Sequence, residues 1–212
     1  PILGHLIIDG QGGIDTVKSA VTLNLAATAA QCARVWKGID PAFSQTCLAA
    51  ARRAWDAAQR NPAIYAAWDF PGSGGYGDAT LSDEFYWAAA ELLATTGEER
   101  FRDAVRASPH FGQLAEAPNW QAVAPLGTLT LALSPTALPP AERARMVAAV
   151  TAAADRFRSD IARSGYGIPF AGADYAWGSN GELLNRALVL GTAHHLAGRH
   201  DHRAAMSDVL DY

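Results

Sequence analysis

Residues 82–96 read SDEFYWAAAELLATT, a segment that would place apolar side chains on more than one face of a helix. A helix that lies on a protein surface keeps one face polar, so this pattern is typical of a helix enclosed by neighbours. The same periodicity recurs further along the chain, where Val147, Val150, Ala154 and Phe157 follow one another at steps of three and four. The sequence therefore predicts an all-α fold with an inner layer of helices.

The connections indicate how these helices pair. The periodicity predicts helices over residues 16–37, 42–60, 82–96, 98–107, 120–133, 140–163, 179–197 and 201–212. Gly38, Gly97 and Gly198 each follow one helix and precede another, where a left-handed glycine commonly ends a helix. Pro140 stands where a helix can begin without its N–H. These short links predict antiparallel helical hairpins.

The remaining links, residues 61–81, 108–119 and 164–178, are longer. Because short and long links alternate, we expect the long ones to emerge at one end of the stacked hairpins, and loops of this kind commonly carry function. They contain aromatic, acidic and histidine side chains: Tyr65, Trp68, Asp69, Tyr76, Asp78, His110, Phe111, Tyr166, Asp174, Tyr175 and Trp177.

Composition excludes several classes of partner. The 212 residues are 50% hydrophobic and 18% charged with a formal charge of −4, which provides no basic surface for nucleic acid. No apolar run approaches the roughly 20 residues that span a bilayer, so we expect no membrane insertion. Cys32 and Cys47 fall on successive predicted helices, where a disulfide is geometrically possible, although two buried free thiols is the interpretation we favour.

Two segments carry a family resemblance. Residues 76–101, YGDATLSDEFYWAAAELLATTGEERF, and residues 174–198, DYAWGSNGELLNRALVLGTAHHLAG, resemble segments of glycoside hydrolase family 9, the second more sharply. Residues 22–51 resemble the hairpin that precedes these motifs. The resemblance implies a partial (α/α)6 barrel built from antiparallel hairpins, with residues 1–212 as the central part of one catalytic domain. It also implies hydrolysis of β-1,4-glucosidic bonds in cellulose or a related β-glucan.

The acids that the family uses for catalysis have no counterpart in this sequence. Family members carry an Asp-Ala-Gly-Asp motif upstream of these segments, and a His-Arg segment and a general-acid Glu downstream. We therefore assign no catalytic residue here and expect a piece of a longer polypeptide, inactive alone and packed against the remainder of its catalytic domain. The resemblance implies a secreted or periplasmic protein with a β-glucan polysaccharide or oligosaccharide as its ligand.

Aromatic loop residues are the candidates for holding sugar rings. Trp177 is the first choice, with Tyr175 two residues before it, Trp120 at the start of a predicted helix, and Tyr76 in the first long loop. The alternatives are a core tryptophan at Trp177 and a packed turn tyrosine at Tyr76.

A structural calcium ion is predicted at the start of the 82–96 helix. Asp78, Asp83 and Glu84 supply carboxylates close together, a carbonyl near Asn119 could complete the shell, and some family relatives bind calcium at the matching acidic pair. The alternative is a helix start capped by Ser82, with two acids placed favourably against its dipole. We expect no organic cofactor.

Three further interpretations stay open. Asp69 and Asp78 are carboxylates that could act as an acid/base pair, although solvated loop acids are the ordinary case. His194, His195, His200 and His202 could suggest a metal site, but adjacent helical residues point apart. A non-catalytic glycan-binding module, or an α-solenoid interaction protein, would also be built from helical hairpins.

Overall fold

The computed structural model describes residues 19–65, 80–170, 174–175 and 178–211, and within these ranges all regular structure is helical. The helices are α1 Ser19–Trp36, α2 Pro41–Arg60, α3 Ser82–Thr96, α4 Glu99–Ala107, α5 Ala124–Leu133, α6 Pro140–Arg163, α7 Ser179–Ala197 and α8 His200–Leu210. The all-α prediction is confirmed, and most predicted ends agree within three residues. The exception is α5, which begins four residues later than predicted.

The helices fall into two compact units, and the boundary between them in the chain lies between Val105 and Arg106. The first contains α1, α2, α3 and most of α4, and the second contains α5 to α8. None of the described helices combines the length and apolarity that crossing a bilayer requires.

In the first unit, α1 and α2 form an antiparallel hairpin that packs largely through small side chains. Ser44 Oγ donates a hydrogen bond of 2.7 Å to the carbonyl of Ala33, and the rings of Trp36 and Phe43 meet edge to face with centroids 5.3 Å apart. The buried alanines that the two helices contribute are Ala26, Ala27, Ala29, Ala30, Ala33, Ala50, Ala51, Ala54 and Ala58. Alanine brings helix backbones close together because it has no side chain beyond Cβ.

A buried polar cluster joins α3 to α1. Glu91 of α3 is only 1% exposed, and its carboxylate accepts a hydrogen bond of 2.7 Å from Arg34 of α1. Arg34 also donates to Thr95 Oγ1 at 2.8 Å, and Trp87 Nε1 donates to Glu91 at 3.4 Å. Because an unpaired buried carboxylate is costly, this cluster fixes how α3 sits on α1.

Aromatic rings join α2, α3 and α4 in the first unit. Trp55 of α2 lies edge-on to Phe85 of α3 at 5.8 Å and to Phe101 of α4 at 5.5 Å, measured between ring centroids. Trp55 is 6% exposed and Phe101 is fully buried. These edge-to-face contacts dock α3 and α4 onto α2.

In the second unit, a charged cluster links α6 to α8. Asp155 of α6 lies 3.0 Å from Nε2 of the fully buried His202, and Arg199 bridges Asp155 and Asp201 at 2.9 and 2.7 Å. Burial raises the pKa of Asp155, but the hydrogen bonds and charges of His202 and Arg199 outweigh it and lower that pKa overall. The hydrogen bond from Arg199 lowers the pKa of Asp201 to about 2.

The structure tests the predicted turns one by one. Gly97 and Gly198 end α3 and α7 with φ of 71° and 69°, as predicted, and Pro140 begins α6. The prediction for Gly38 is wrong, because its φ is not positive. That turn is closed instead by the N–H groups of Ile39 and Asp40, which donate to the Trp36 carbonyl at 3.0 and 2.9 Å.

Candidate functional site

Trp120 lies in a tight turn rather than at the start of a helix, which corrects the sequence-based placement. Asn119 Oδ1 accepts hydrogen bonds from the N–H groups of Gln121 at 2.9 Å and Ala122 at 3.0 Å. Together with the reciprocal backbone hydrogen bonds between Asn119 and Ala122, at 3.1 and 3.3 Å, these contacts close a turn, and α5 begins only at Ala124. The Trp120 side chain is 56% exposed at this turn. A large aromatic face is thus held on rigid backbone within reach of solvent.

Tyr175 lies in the third long loop and is 49% exposed. Its ring meets that of Phe170 edge to face, with centroids 5.4 Å apart. Phe170 is itself 7% exposed, so Tyr175 rests on a buried ring while about half of its own surface stays exposed. This geometry suits a tyrosine that contacts a ligand through its edge or hydroxyl.

Two consecutive residues of α7 anchor these loops. Asn185 Nδ2 donates to the carbonyl of Pro118 at 2.7 Å, which holds the turn that carries Trp120. Arg186 donates to the Pro169 carbonyl and to Asp174 Oδ2, the latter at 3.2 Å. Both residues lie within the segment 174–198 that resembles family 9, where the sequence alone indicates no role for them.

Arg186 also fixes the ring beneath Tyr175. Its guanidinium lies over the Phe170 ring at 4.7 Å and over the Phe157 ring at 5.5 Å, measured to the ring centroids. A planar guanidinium can stack and donate hydrogen bonds at the same time, which a lysine ammonium cannot. Arg186 therefore organises the loop through both its charge and its flat shape.

The second long loop is tied down along its length. Arg156 of α6 donates to the carbonyls of Leu114 and Ala115 at 2.7 and 3.0 Å, and Thr128 of α5 donates to the Gln113 carbonyl at 2.8 Å. Three helices of the unit, α5, α6 and α7, thus hold the loop that ends at Trp120. Such support limits how far the indole can move when a ligand binds.

A charged cleft of about 400 Å³ lies beside these loops. Its walls combine arginines with carboxylates: Glu116, Arg156, Asp160, Arg163, Asp174, Glu182 and Arg186. Among the described residues that line it, the one aromatic ring is Phe157, which is 6% exposed. Charged side chains predominate in this described lining, and Arg156 and Arg186 are the same residues that anchor the loops.

The acidic pair of the predicted calcium site lies in the first turn of α3. Asp83 and Glu84 are 4% and 3% exposed, an unusual degree of burial for two adjacent carboxylates. The residue that precedes α3 as its N-cap is Leu81, without a side-chain cap, so Ser82 is the first helical residue and not the predicted cap. Among the residues that the structure describes, no group of three or more acidic, cysteine or histidine side chains is arranged to hold a metal.

The remaining candidate residues separate into two groups. Trp177, Tyr76, Asp78 and Asp69 lie outside the described residues. The histidines are described: His194 Nδ1 lies 2.9 Å from the Arg199 carbonyl, and its ring centroid is 6.0 Å from that of His200. His202 pairs with Asp155, so His194 and His202 both have protein partners.

Comparison with known proteins decides the family. Residues 13–212 match glycosyl hydrolase family 9. The chain belongs to this family. The expected fold is confirmed as well, because the helices match those of family 9 barrel structures and cover part of that domain.

Curated family 9 relatives are considerably longer than this chain. It is similar to a cellulose 1,4-beta-cellobiosidase of Acetivibrio thermocellus, with 37% identity over 92% of the chain and 25% of the relative. It is also similar to endoglucanase C of Cellulomonas fimi, with 42% identity over 92% of the chain and 18% of the relative. The chain thus spans a quarter or less of either protein.

A solved family 9 structure matches the fold closely. A metagenome-derived family 9 endoglucanase superimposes with a TM-score of 0.86 at 34% identity, over 94% of this chain and 37% of that protein. The loops that carry Trp120 and Tyr175 therefore belong to a family 9 scaffold.

Proposed function

We propose that the protein carrying this chain is a cellulase-type glycoside hydrolase that cleaves β-1,4-glucosidic bonds in cellulose or a related β-glucan. In this proposal both units belong to one catalytic domain, and the chain supplies a platform for the sugar chain. The observation that carries the proposal is the pair of exposed aromatic side chains, Trp120 and Tyr175, held on loops anchored by Asn185 and Arg186. Relatives named as a cellobiosidase and an endoglucanase support the substrate class.

Inverting hydrolysis explains why such a platform matters. One carboxyl group protonates the leaving oxygen while another, roughly 6.5–9.5 Å away, activates a water molecule on the opposite face of the sugar. We assign those carboxyls to segments of the protein beyond this chain, and we assign no residue of the chain to proton transfer. Aromatic rings that hold the sugars in line would place the scissile bond between the two carboxyls.

Activity assays on soluble cellulose derivative test the proposal. We expect Trp120→Ala, Tyr175→Ala and Trp177→Ala each to reduce both binding and turnover of the full-length protein, because a displaced ring misplaces the scissile bond. Trp36→Ala is the matched control, since Trp36 is 38% exposed at the short turn between α1 and α2. Residues 1–212 alone should release no reducing sugar.

Two results would contradict the assignment. Sugar release by residues 1–212 near the full-length rate would place the chemistry on carboxylates within them, with Asp69 and Asp78 the first suspects. Binding of oligosaccharide by an inactive full-length protein would favour the alternative of a non-catalytic glycan-binding module. Proton NMR of the first product tests the inverting mechanism, since cleavage of a β-linkage with inversion yields the α-anomer.

We further propose that Asp83 and Glu84 bind a structural calcium ion together with Asp78. The burial of Asp83 and Glu84 supports this proposal, because buried carboxylates in proteins are commonly paired or coordinate metal ions. Calcium prefers six to eight oxygen ligands and commonly combines carboxylates with backbone carbonyls. The ion would stiffen the start of α3.

We also propose that the remainder of the catalytic domain covers an apolar face of the second unit. Leu133, Leu184, Leu188 and Leu210 are each between 45% and 56% exposed and border a groove of about 370 Å³. Clustered exposed leucines commonly mark a contact surface. In a family whose curated members extend well beyond this segment, further helices of the same domain are the occupant that fits.

Paired measurements on one double variant test this docking surface. Leu184→Ser with Leu188→Ser should make residues 1–212 less prone to self-association, because both side chains are exposed there. The same change should lower the Tm of the full-length protein, where we expect these side chains to be buried. An unchanged full-length Tm would show that the face stays uncovered.

The proposed substrate also determines where the protein acts. Cellulose is an extracellular polymer that is too large to cross a membrane intact, so we place the protein in a secreted or periplasmic location. Detection of the protein in the culture medium or periplasmic fraction of its source would support this placement, and retention in the cytoplasm would contradict it.

A further inference from the structure

The sulfur atoms of Cys32 in α1 and Cys47 in α2 lie 2.6 Å apart, although neither residue is in a disulfide. Two thiols that touch without bonding keep a larger separation, whereas a covalent S–S bond is about 2.05 Å long. The favoured sequence interpretation, two buried free thiols, is right about the bonding but not about the burial, since Cys32 is only partly buried. The sequence alone did not predict contact between the two sulfur atoms.

The register of the hairpin brings these residues together. On the same antiparallel pair, Ser44 bonds to the Ala33 carbonyl, Trp36 packs on Phe43, and at the far end Ser19 Oγ donates to the Asn61 carbonyl at 2.6 Å. The cysteine contact lies between these fixed points. The short distance between the two sulfur atoms follows from the packing of the whole hairpin and does not need a local rearrangement.

We propose that Cys32 and Cys47 form an intramolecular disulfide that locks α1 to α2 when the protein meets an oxidising compartment. Disulfides persist in secreted and periplasmic proteins, so this inference is consistent with the proposed location but does not depend on the proposed activity. Among the described residues no third metal-binding side chain accompanies the two sulfurs, which favours a covalent pair over a metal site.

Thiol–disulfide exchange supplies a balanced route. The thiolate of Cys32 attacks a small-molecule disulfide, forms a mixed disulfide and releases one thiol. Cys47 then loses its proton, attacks Cys32 Sγ and expels the second thiol, so two protein thiols are oxidised and one external disulfide is reduced. The partly buried Cys32 is the accessible partner for the first step.

The environment of Cys47 supports this order of events. Burial, together with the hydrogen bond and charge of Cys32, raises the pKa of Cys47 to about 11. Cys47 is therefore a thiol at neutral pH and a poor initial nucleophile. It becomes reactive only when the mixed disulfide is held against it.

Peptide mapping tests the bond directly. The full-length protein is equilibrated with oxidised glutathione, blocked with N-ethylmaleimide in denaturant, and digested with trypsin. The sequence predicts a cross-linked pair of peptides, residues 19–34 and 38–52, that separates on reduction. Recovery of both peptides only as maleimide adducts would overturn the proposal.

Thermal unfolding tests the locking. The disulfide would close a loop of 15 residues, and we expect the Tm of the reduced protein to lie several degrees below that of the oxidised protein. The Cys32→Ser variant should unfold at the same temperature with and without reductant, and the wild-type comparison remains decisive if this variant folds poorly. The proposal would also be overturned if reductant removed the cross-linked peptides but left the Tm of the wild-type protein unchanged. Neither readout depends on glucan hydrolysis.

Discussion

Asn185 and Arg186 are neighbours in sequence, yet each holds a different loop of the second unit. The amide of Asn185 reaches the Pro118 carbonyl, 67 residues earlier in the chain, while Arg186 reaches the Pro169 carbonyl and Asp174. The two loops present Trp120 and Tyr175. One turn of α7 therefore sets the positions of both candidate sugar-binding side chains.

Replacement of Asn185 by alanine is expected to weaken sugar binding. The lost hydrogen bond is worth about 0.5–1.5 kcal/mol, so we expect KM for soluble β-glucan to rise by roughly twofold to tenfold. Asn119→Ala loosens the same turn from within and should have a similar effect. Arg203→Ala is the control, because Arg203 is exposed on α8 and is not among the residues that line the charged cleft. Equal kinetics for Asn185→Ala and Arg203→Ala would contradict this role.

Replacement of Arg186 by lysine should be destabilising although it preserves the charge. Lysine cannot combine the hydrogen bonds to Pro169 and Asp174 with stacking on the Phe170 ring, so we expect a loss of about 1–3 kcal/mol in the free energy of unfolding. Denaturant titration measures the loss. Arg203→Lys serves as the matched exchange at an exposed position, and a similar small loss of stability in both variants would argue against the anchoring role.

The calcium proposal predicts a metal-dependent melting temperature. Free calcium at about 100 times its Kd would stabilise the protein by roughly 2.7 kcal/mol, which raises Tm by several degrees after chelator treatment. Asp83→Asn should abolish most of this response, whereas Asp201→Asn should retain it. If calcium leaves the Tm of the stripped wild-type protein unchanged, the helix-dipole interpretation is the correct one.

Loss of the partner of a buried carboxylate should weaken the first unit. Arg34→Met leaves Glu91 buried without its cation, and we expect a cost of about 1–3 kcal/mol, reduced from the value for a fully buried pair because Arg34 is 32% exposed. The double variant Arg34→Met with Glu91→Gln should recover part of this loss. No recovery in the double variant would show that the pair itself contributes little.

The cluster around Asp155 predicts a pH-dependent contribution to stability. Its pKa is lowered from 3.8, so the folded state favours the ionised carboxylate, and the stabilisation is present above that value and lost as the pH falls below it. Asp155→Asn should cost about 1–2 kcal/mol at pH 7, because the carboxylate pairs with the fully buried His202. Denaturant unfolding should show this difference shrinking at acidic pH, and a difference that grows instead would contradict the assignment.

Local patterns were enough to predict the helices but not the loop geometry. Pro140 and the spacing of apolar residues locate α6 to the residue, because helix starts depend on nearby groups. The start of α5 was misplaced because the backbones of Asn119 and Ala122 pair with each other and close a turn before the helix begins at Ala124. The anchoring roles of Asn185 and Arg186 depend on partners many residues away, and no local pattern in a single sequence reveals them.

Alanine-rich packing between α1 and α2 shapes how this segment can change over evolutionary time. Fully buried alanines such as Ala26, Ala27, Ala30 and Ala51 have almost no volume to lose, so shrinking them to glycine mainly adds backbone freedom. Enlarging any one of them pushes two closely spaced backbones apart along the whole hairpin. Natural variants should therefore retain alanine at these positions, because glycine would weaken the helices by about 1 kcal/mol and larger residues would not fit, and compensating changes should appear in pairs across the two helices.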